Sequence, residues 1–313
     1  MPCYHPLVAK YEGDKIKIVK KTGIEWKPVS KEAGYFNLPC GKCWGCRLRY
    51  SRDWAIRMTH EAQLYQDNCF ITLTIDPKHM EQRGHRGLDK TEFQKFMKRL
   101  RFEYDHKIRF YHCGEYGEKN GRPHYHAILF NHWFEDSEKL CKVGGNQYYT
   151  SEKLAKLWPY GFNVIGQVTW ESCAYTARYV TKKMTGEGTD EKYTDPETGE
   201  VYEREYCTQS RMPGIGKEWY LKYGLTDVHA HDHVVPIGKP EMKVRPPRYY
   251  DKLCEQQYPK LYEEIKAARA EAAPEPILEY NEELDRLWVM EECKEIKAAR
   301  FARTAEKVNN SQG

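Results

Sequence analysis

At 313 residues, with 31% charged side chains and a mean hydropathy of -0.86, the chain can hold one sizeable core plus a smaller unit, with much of its length solvated. No apolar run approaches the ~18 residues of a membrane helix, and the start, Met1-Pro2-Cys3-Tyr4-His5, lacks the apolar core of a signal peptide, so a cytoplasmic protein without membrane partners is expected. A net charge of +4 steers weakly toward DNA and leaves any such contact to local patches, while eleven cysteines, an odd number, read as thiols or ligands rather than a disulfide framework.

Residues 1–45 hold short β-like pieces such as Lys15-Ile16-Lys17-Ile18-Val19, then Cys40-x2-Cys43-x2-Cys46. Three thiolates at that spacing can wrap one soft metal but fall one short of a tetrahedral zinc site, so Cys3 or His5 is the fourth candidate. An iron–sulfur cluster or a turn of free thiols are the alternatives to structural Zn²⁺. A helix around 46–64 gathers Arg47, Arg49, Arg52 and Arg57, and another around 90–104 gathers Lys95, Lys98, Arg99 and Arg101. Such runs are commonly solvated faces, and beside a nucleic-acid site they become phosphate contacts.

Between these helices runs an apolar strand with small hydroxyls, Phe70-Ile71-Thr72-Leu73-Thr74-Ile75-Asp76. Further on, Arg122-Pro123-His124-Tyr125-His126 enters an apolar, β-favouring run to Phe130, and residues two apart on a strand share a face, so His124 and His126 form half of a metal site. Asn120-Gly121 is a strong hairpin signal, and taken as a two-residue turn it pairs Lys119 with Arg122 and sets Glu115 opposite His126. Glu115, His124 and His126 then share one face, and two imidazoles with a carboxylate leave positions open and suit Mn²⁺ or Mg²⁺. Glu118 has the wrong parity.

A helix near Ser151–Trp158 and a strand near Asn163–Val168 are expected next. Then Ala174-Tyr175-Thr176-Ala177-Arg178-Tyr179-Val180-Thr181-Lys182-Lys183 reads as a helix capped by Thr169, with Tyr175 and Tyr179 one turn apart and Lys182 and Lys183 continuing the face. Two tyrosines at i, i+4 are ordinary packing on most helices; behind a Glu and His hairpin they are candidate nucleophiles. Residues 186–205 are glycine-rich and charged, and 206–247 are punctuated by Pro and Gly, with Arg211, Lys217, Lys243, Arg245 and Arg248 available to DNA. His229-Ala230-His231-Asp232-His233 alternates like the first pair, but with no nucleophile-bearing helix beside it reads as an exposed strand or loop. From Tyr249 the composition turns to Glu, Lys and Ala, giving two helices broken near Ala273-Pro274-Glu275-Pro276. The order implies an α+β fold, an antiparallel β-sheet flanked by helices, in segments 1–45, 46–185, 186–247 and 248–313.

These three segments resemble motifs one, two and three of the HUH endonucleases, the rolling-circle replication initiators and their relatives. The spacing Tyr-x3-Tyr-x2-Lys is similar to that of the two-tyrosine initiators of small single-stranded DNA phages. Pro39-Cys40-Gly41-Lys42-Cys43-Trp44-Gly45-Cys46-Arg47, Ser51-Arg52-Asp53-Trp54-Ala55, Gly114-Glu115-Tyr116-Gly117 and Ser210-Arg211-Met212-Pro213-Gly214-Ile215-Gly216 are similar to the initiation proteins of gokushoviruses within the Microviridae, a likeness that runs to about residue 250. The resemblance implies an RRM- or ferredoxin-like domain that nicks and joins single-stranded DNA, and acts on supercoiled phage DNA, at the origin through a 5′-phosphotyrosine; Arg122, Lys183 and Arg211 join the helix cations as candidate DNA contacts. It also implies a host helicase and DNA polymerase as partners in the bacterial cytoplasm. A relaxase or transposase of the same chemistry, or a non-cleaving DNA-binding regulator, are the alternatives.

Overall fold

Two units make up the chain, Met1–Tyr50 with Ala272–Gly313, and Ser51–Glu271, in a computed structural model that describes residues 3–13, 15–19, 35–117, 121–182, 193–195, 198–272 and 285–296. In the first unit, β1 (Leu7–Glu12), β2 (Lys15–Ile18) and β3 (Tyr35–Leu38) form an antiparallel sheet in the order β2-β1-β3. The N-terminal turns of α1 (Trp44–Ala62) and a helix over 285–296 complete what is described of it.

The second unit is built on β4 (Asn68–Thr74), β5 (Arg109–Tyr116), β6 (Pro123–Phe130), β7 (Glu138–Val143), β8 (Asn146–Thr150), β9 (Asn163–Gln167) and β10 (Tyr206–Gln209). They form one antiparallel sheet in the order β10-β5-β6-β4-β9-β8-β7. Strand alternation sorts its side chains into two cores. After the short α2 (Pro77–Arg83), Phe93, Phe96, Met97 and Leu100 of α3 (Lys90–Glu103) and Leu154 of α4 (Glu152–Leu157) pack with Cys69, Ile71 and Leu73 of β4 and Tyr125, Ala127 and Leu129 of β6. On the other face Phe70, Tyr111, Ile128 and Phe130 meet Trp54, Ala55 and Met58 of α1 and Cys173 and Ala177 of α5 (Trp170–Lys182). Small side chains at 173 and 177, one turn apart, let α5 lie close against the sheet.

The two-residue Gly144–Gly145 turn joins β7 to β8; both glycines have positive φ (56° and 86°), as a type I′ turn requires. Helix α6 (Lys217–Tyr223), α7 (Arg248–Gln257) and α8 (Pro259–Glu271) form a third cluster in which Trp219, Tyr220, Tyr250, Leu253 and Ile265 surround Ile56 of α1. The C-terminal helical region therefore has a break at Tyr258–Pro259 that the sequence reading placed only at 273–276; proline has no N–H to donate and disfavours a helical residue before it. Residues 273–276 lie outside the described set. His231 and His233 follow a π-helical segment, Gly224–His229, at a turn, but His229 is buried at the end of that segment and not in an exposed strand or loop; Asp232 joins Asp251 in holding Arg269, with Nε–Oδ2 at 2.8 Å and Nη1–Oδ2 at 2.9 Å. No helix of the described residues is long and apolar enough to cross a membrane.

Candidate active site and cysteine cluster

Along the α5 face of the sheet, three neighbouring strands change from apolar to polar at the same level: Phe70 to Thr72 on β4, Tyr111 and Cys113 to Glu115 on β5, and Ile128 to His126 and His124 on β6. Glu115 and His126 are buried and joined, His126 Nε2 to Glu115 Oε1 at 2.8 Å. The other ring nitrogen, Nδ1, is 3.0 Å from Thr72 Oγ1, a hydroxyl able to serve either tautomer.

The hairpin is wider than the sequence reading predicts. Glu115 pairs with His124 and Cys113 with His126, a slip of two from the register of a two-residue turn. Gly117 N–H donates to Arg122 O (2.9 Å) and Gly121 N–H to Gly117 O (3.0 Å), so the connection is closed by these longer bonds; Lys119 and Asn120, like Glu118, lie outside the described residues. The wider loop lets the His124 ring lie over Gly117, where a Cβ would come within 2.7 Å of His124 Cε1. Because strand faces repeat every two residues, the slip leaves Glu115, His124 and His126 on one face, with His126 now diagonal to Glu115.

His124 Nδ1 is 2.8 Å from the Arg122 carbonyl, which can only accept, so Nδ1 carries the proton and Nε2 the lone pair. Burial first, and then the charge of His126, hold the His124 pKa below the ordinary imidazole value. Both features leave it neutral and ready to ligate at pH 7. The three donor atoms do not all fall within 4.8 Å of one another, so His124 stands further out than the Glu115–His126 pair. Two imidazoles and a carboxylate are, in donor chemistry, a set that suits an open divalent site once His124 swings toward the pair.

Helix α5 brings the nucleophile candidate. Thr169 and Ser172 cap it reciprocally, Ser172 N–H to Thr169 Oγ1 at 3.2 Å and Thr169 N–H to Ser172 Oγ at 2.8 Å. Tyr175 is 42% exposed, and its ring stands edge-on to His126 (centroids 5.3 Å apart, 87°) and to Phe70 (6.2 Å, 90°). Tyr179 and Lys182 belong to the same helix, but their side chains, like all of Lys183, lie outside the described residues. In front of Tyr175 opens a cleft of about 460 Å³ lined by Thr72, His126, Gln147, Tyr148 and Arg178. Sequence reading missed Tyr148 and Arg178: β8 reaches the cleft only through sheet order, and Arg178 shows itself only as the residue three beyond Tyr175.

Several cations expected to meet DNA are used within the fold. Arg57 Nε donates to Ile215 O (3.0 Å) with its guanidinium over Trp54 and Tyr249, Arg99 to Leu157 O and Arg101 to Ile108 O. Arg52 lies 3.2 Å from Asp53, and Arg47, Arg49 and Arg122 are half-buried. Lys98 is exposed, but α3 covers the sheet face opposite the histidines. Arg211 is exposed.

In the first unit, Cys3, Cys40, Cys43 and Cys46 bring their sulfurs within 4.8 Å of one another, the one such group of His, Cys, Asp and Glu ligands among the described residues. Backbone N–H groups of Tyr4 (3.3 Å) and Cys46 (3.4 Å) point at Cys43 Sγ, and that of Cys40 at Cys3 Sγ (3.2 Å). Burial opposes ionisation of Cys43, but the N–H groups of Cys46 and Tyr4 and the neighbouring thiols outweigh it and bring its pKa to about 7. The quartet can bind a metal ion. His5, the other fourth-ligand candidate, instead meets Glu291 (2.5 Å), which also accepts from Trp44 N–H (2.9 Å) at the start of α1. Leu287 and Met290 of the 285–296 helix pack against Tyr4, Cys43 and Cys46.

Residues 68–184, from β4 past α5, match the family model described as Replication-associated protein ORF2/G2P. The chain is 34% identical over 278 residues to replication-associated protein VP4 of Bdellovibrio phage phiMH2K (85% of this chain, 81% of the relative). It is 29% identical over 273 residues to replication-associated protein ORF2 of Spiroplasma virus 4 (82% of each), and 38% over 158 residues to replication-associated protein ORF4 of Chlamydia phage 1 (48% and 39%). No solved structure matches. The chain belongs to this family of phage replication-associated proteins, in agreement with the resemblance of its motifs.

Proposed function

We propose that the chain is a rolling-circle replication initiator, an HUH nickase and strand-transferase acting on single-stranded phage DNA at the origin. The observation that carries this reading is the Tyr175 ring standing 5.3 Å from His126, itself bonded to Glu115, at an open cleft. Glu115, His124 and His126 would hold Mn²⁺ or Mg²⁺, which when bound supplies charge stabilisation at the scissile phosphate. Thr72 and the Arg122 carbonyl fix the two imidazole rings.

The phenol of Tyr175 or Tyr179 loses its proton to solvent, with Lys182 favouring the phenolate, and its oxygen attacks phosphorus. The bond from phosphorus to the 3′-oxygen breaks, that oxygen takes up a proton, and a 5′-phosphotyrosine and a primer 3′-hydroxyl result. The phosphodiester energy is kept, so no nucleotide is consumed; Gly214-Ile215-Gly216-Lys217-Glu218 lacks the spacing of a phosphate-binding P-loop. After one round the second tyrosine attacks the regenerated junction while the first ester is resolved by the free 3′-hydroxyl into a circle. Unwinding and synthesis fall to a host helicase and polymerase in the bacterial cytoplasm, and the cysteine quartet holds a structural Zn²⁺.

Incubation with single-stranded oligonucleotides and Mn²⁺ should give an adduct that survives denaturation. Binding without any adduct would make the chain a non-cleaving DNA-binding protein.

A further inference from the structure

The segment Ser210–Gly216 has no part in the nicking chemistry, yet the fold holds it tightly. Ser210 Oγ accepts from Phe110 N–H (3.1 Å), and Ser210 N–H donates to Phe110 O (2.9 Å). Arg109 Nη2 donates to Pro213 O (2.7 Å), Arg57 Nε to Ile215 O (3.0 Å), and Gly216 N–H to Glu61 Oε2 (2.6 Å). Glu61 and Arg109 are themselves a buried ion pair (2.5 Å). Gly214 passes so close to Tyr249 that a Cβ would fall 2.5 Å from its hydroxyl, and Gly216 sits at φ +78° against Tyr250. What this frame presents is Met212, 92% exposed, and Arg211.

The two line a groove of about 620 Å³ with Arg101, His106, Lys107 and Arg109. Among the described residues no ion pair neutralises Arg101, Lys107 or Arg211, and Asp105 is the groove's one carboxylate. Arg109, 2% exposed and paired with Glu61 through Nε, also lines the groove and leaves its Nη1 without a hydrogen-bond partner. Phe102, next to Arg101, is as exposed as Met212. Isolated apolar side chains of that size at full exposure beside uncompensated cations suit a ligand with an anionic backbone and flat apolar faces.

We propose that this groove is a second DNA contact, in which Lys107 and Arg211 hold the phosphodiester backbone of a single strand flanking the nick, Arg101 adds its charge from its place on the Ile108 carbonyl, and Met212 packs against an unstacked base. Strand β5 runs from Arg109 at the groove to Glu115 at the candidate active site, about 20 Å at ~3.4 Å per residue. That distance matches roughly six nucleotides at the ~3.4 Å spacing of a helical strand. The groove would hold the displaced flank while the tyrosine is esterified.

The proposal rests on the chain acting on DNA but not on its cutting it, so the test uses full-length Tyr175→Phe/Tyr179→Phe protein in EDTA. Fluorescence anisotropy with a mixed-sequence 30-nucleotide single strand is measured from 50 to 300 mM salt. Arg211→Ala should weaken binding about tenfold and reduce the salt slope by ~0.7, the value of one single-strand phosphate contact, with Arg211→Lys restoring the slope. Met212→Ala should weaken binding several-fold at unchanged slope, and for the single strand more than for the matching duplex. Both side chains are exposed, so melting temperatures should not move. Unchanged affinity and slope in both variants would overturn the groove, even where wild-type protein forms adducts. Loss of affinity with no wild-type adduct under any condition would keep the groove and overturn the nickase.

Discussion

The cysteine quartet and the Glu115–His124–His126 group differ in how they are closed. Four cysteine sulfurs draw together, their lone pairs met by backbone N–H groups, with apolar side chains of the 285–296 helix packed over them. Glu115, His124 and His126 are fixed by Thr72 and the Arg122 carbonyl, and of the three His126 opens onto a cleft of about 460 Å³ with Tyr175 at its wall. A closed sulfur set stabilises a fold; an open set of harder donors leaves room for a substrate oxygen. Chemistry should therefore respond to changes in one cluster and stability to changes in the other.

The largest effect on cleavage is expected from removing both nucleophiles. Tyr175→Phe/Tyr179→Phe should lower adduct formation roughly 10⁴-fold or more. Each single variant should keep some adduct on a short oligonucleotide, since Cβ atoms at i, i+4 lie ~5–6 Å apart. Release of unit-length circles should fail in both singles, and a single variant that releases them at normal yield would leave one tyrosine as the sole nucleophile.

His126→Ala should cost cleavage about 10³-fold with either Mn²⁺ or Mg²⁺ while single-strand affinity holds. Thr72→Val, which keeps shape but loses the bond to His126 Nδ1, should cost ~10 to 100-fold in metal affinity or rate, read from a Mn²⁺ titration of cleavage. At the cysteines the pattern should invert. Cys43→Ser should lower Tm by on the order of 10 °C with little change in the cleavage rate of the folded protein, and metal analysis of wild type should find about one zinc per chain. A rate loss in Cys43→Ser matching that of His126→Ala would erase the distinction between the clusters.

The smallest effect is a pH dependence of stability. Burial lowers the pKa of His60 to about 3 and of His132 to about 4. The unfolded chain takes up protons at these imidazoles from pH ~6.5, whereas the folded chain does not, so stability falls as pH drops from about 6.5 toward 4. His60, stacked on Trp219 and 2.9 Å from Tyr250 Oη, should alone account for on the order of 2 kcal/mol between pH 7 and 5, visible as a lower urea midpoint. A midpoint unchanged over that range would mean that His60 is not held neutral.

Much of the site could be read from the sequence because its signals are local. A period of two put Glu115, His124 and His126 on one face, and this survived a misjudged turn because the slip was itself two residues. The cap at Thr169 was equally local. What escaped depends on distant partners: the 285–296 helix reaching the cysteines, β8 carrying Tyr148 to the cleft, and the carbonyls that take up Arg57, Arg99 and Arg101. Charge on a helix shows in composition; what it is spent on shows only in the fold.

The central claim is that Tyr175, or Tyr179 one turn beyond it, becomes esterified to DNA beside the Glu115–His126 pair. Peptide mapping of the product formed with a single-stranded oligonucleotide and Mn²⁺ tests it most directly. The account predicts a nucleotide mass on the peptide spanning Tyr175 and Tyr179, absent in His126→Ala. Nucleotide carried on any other peptide, or cleavage of the strand with no covalent mass on the protein, would contradict it.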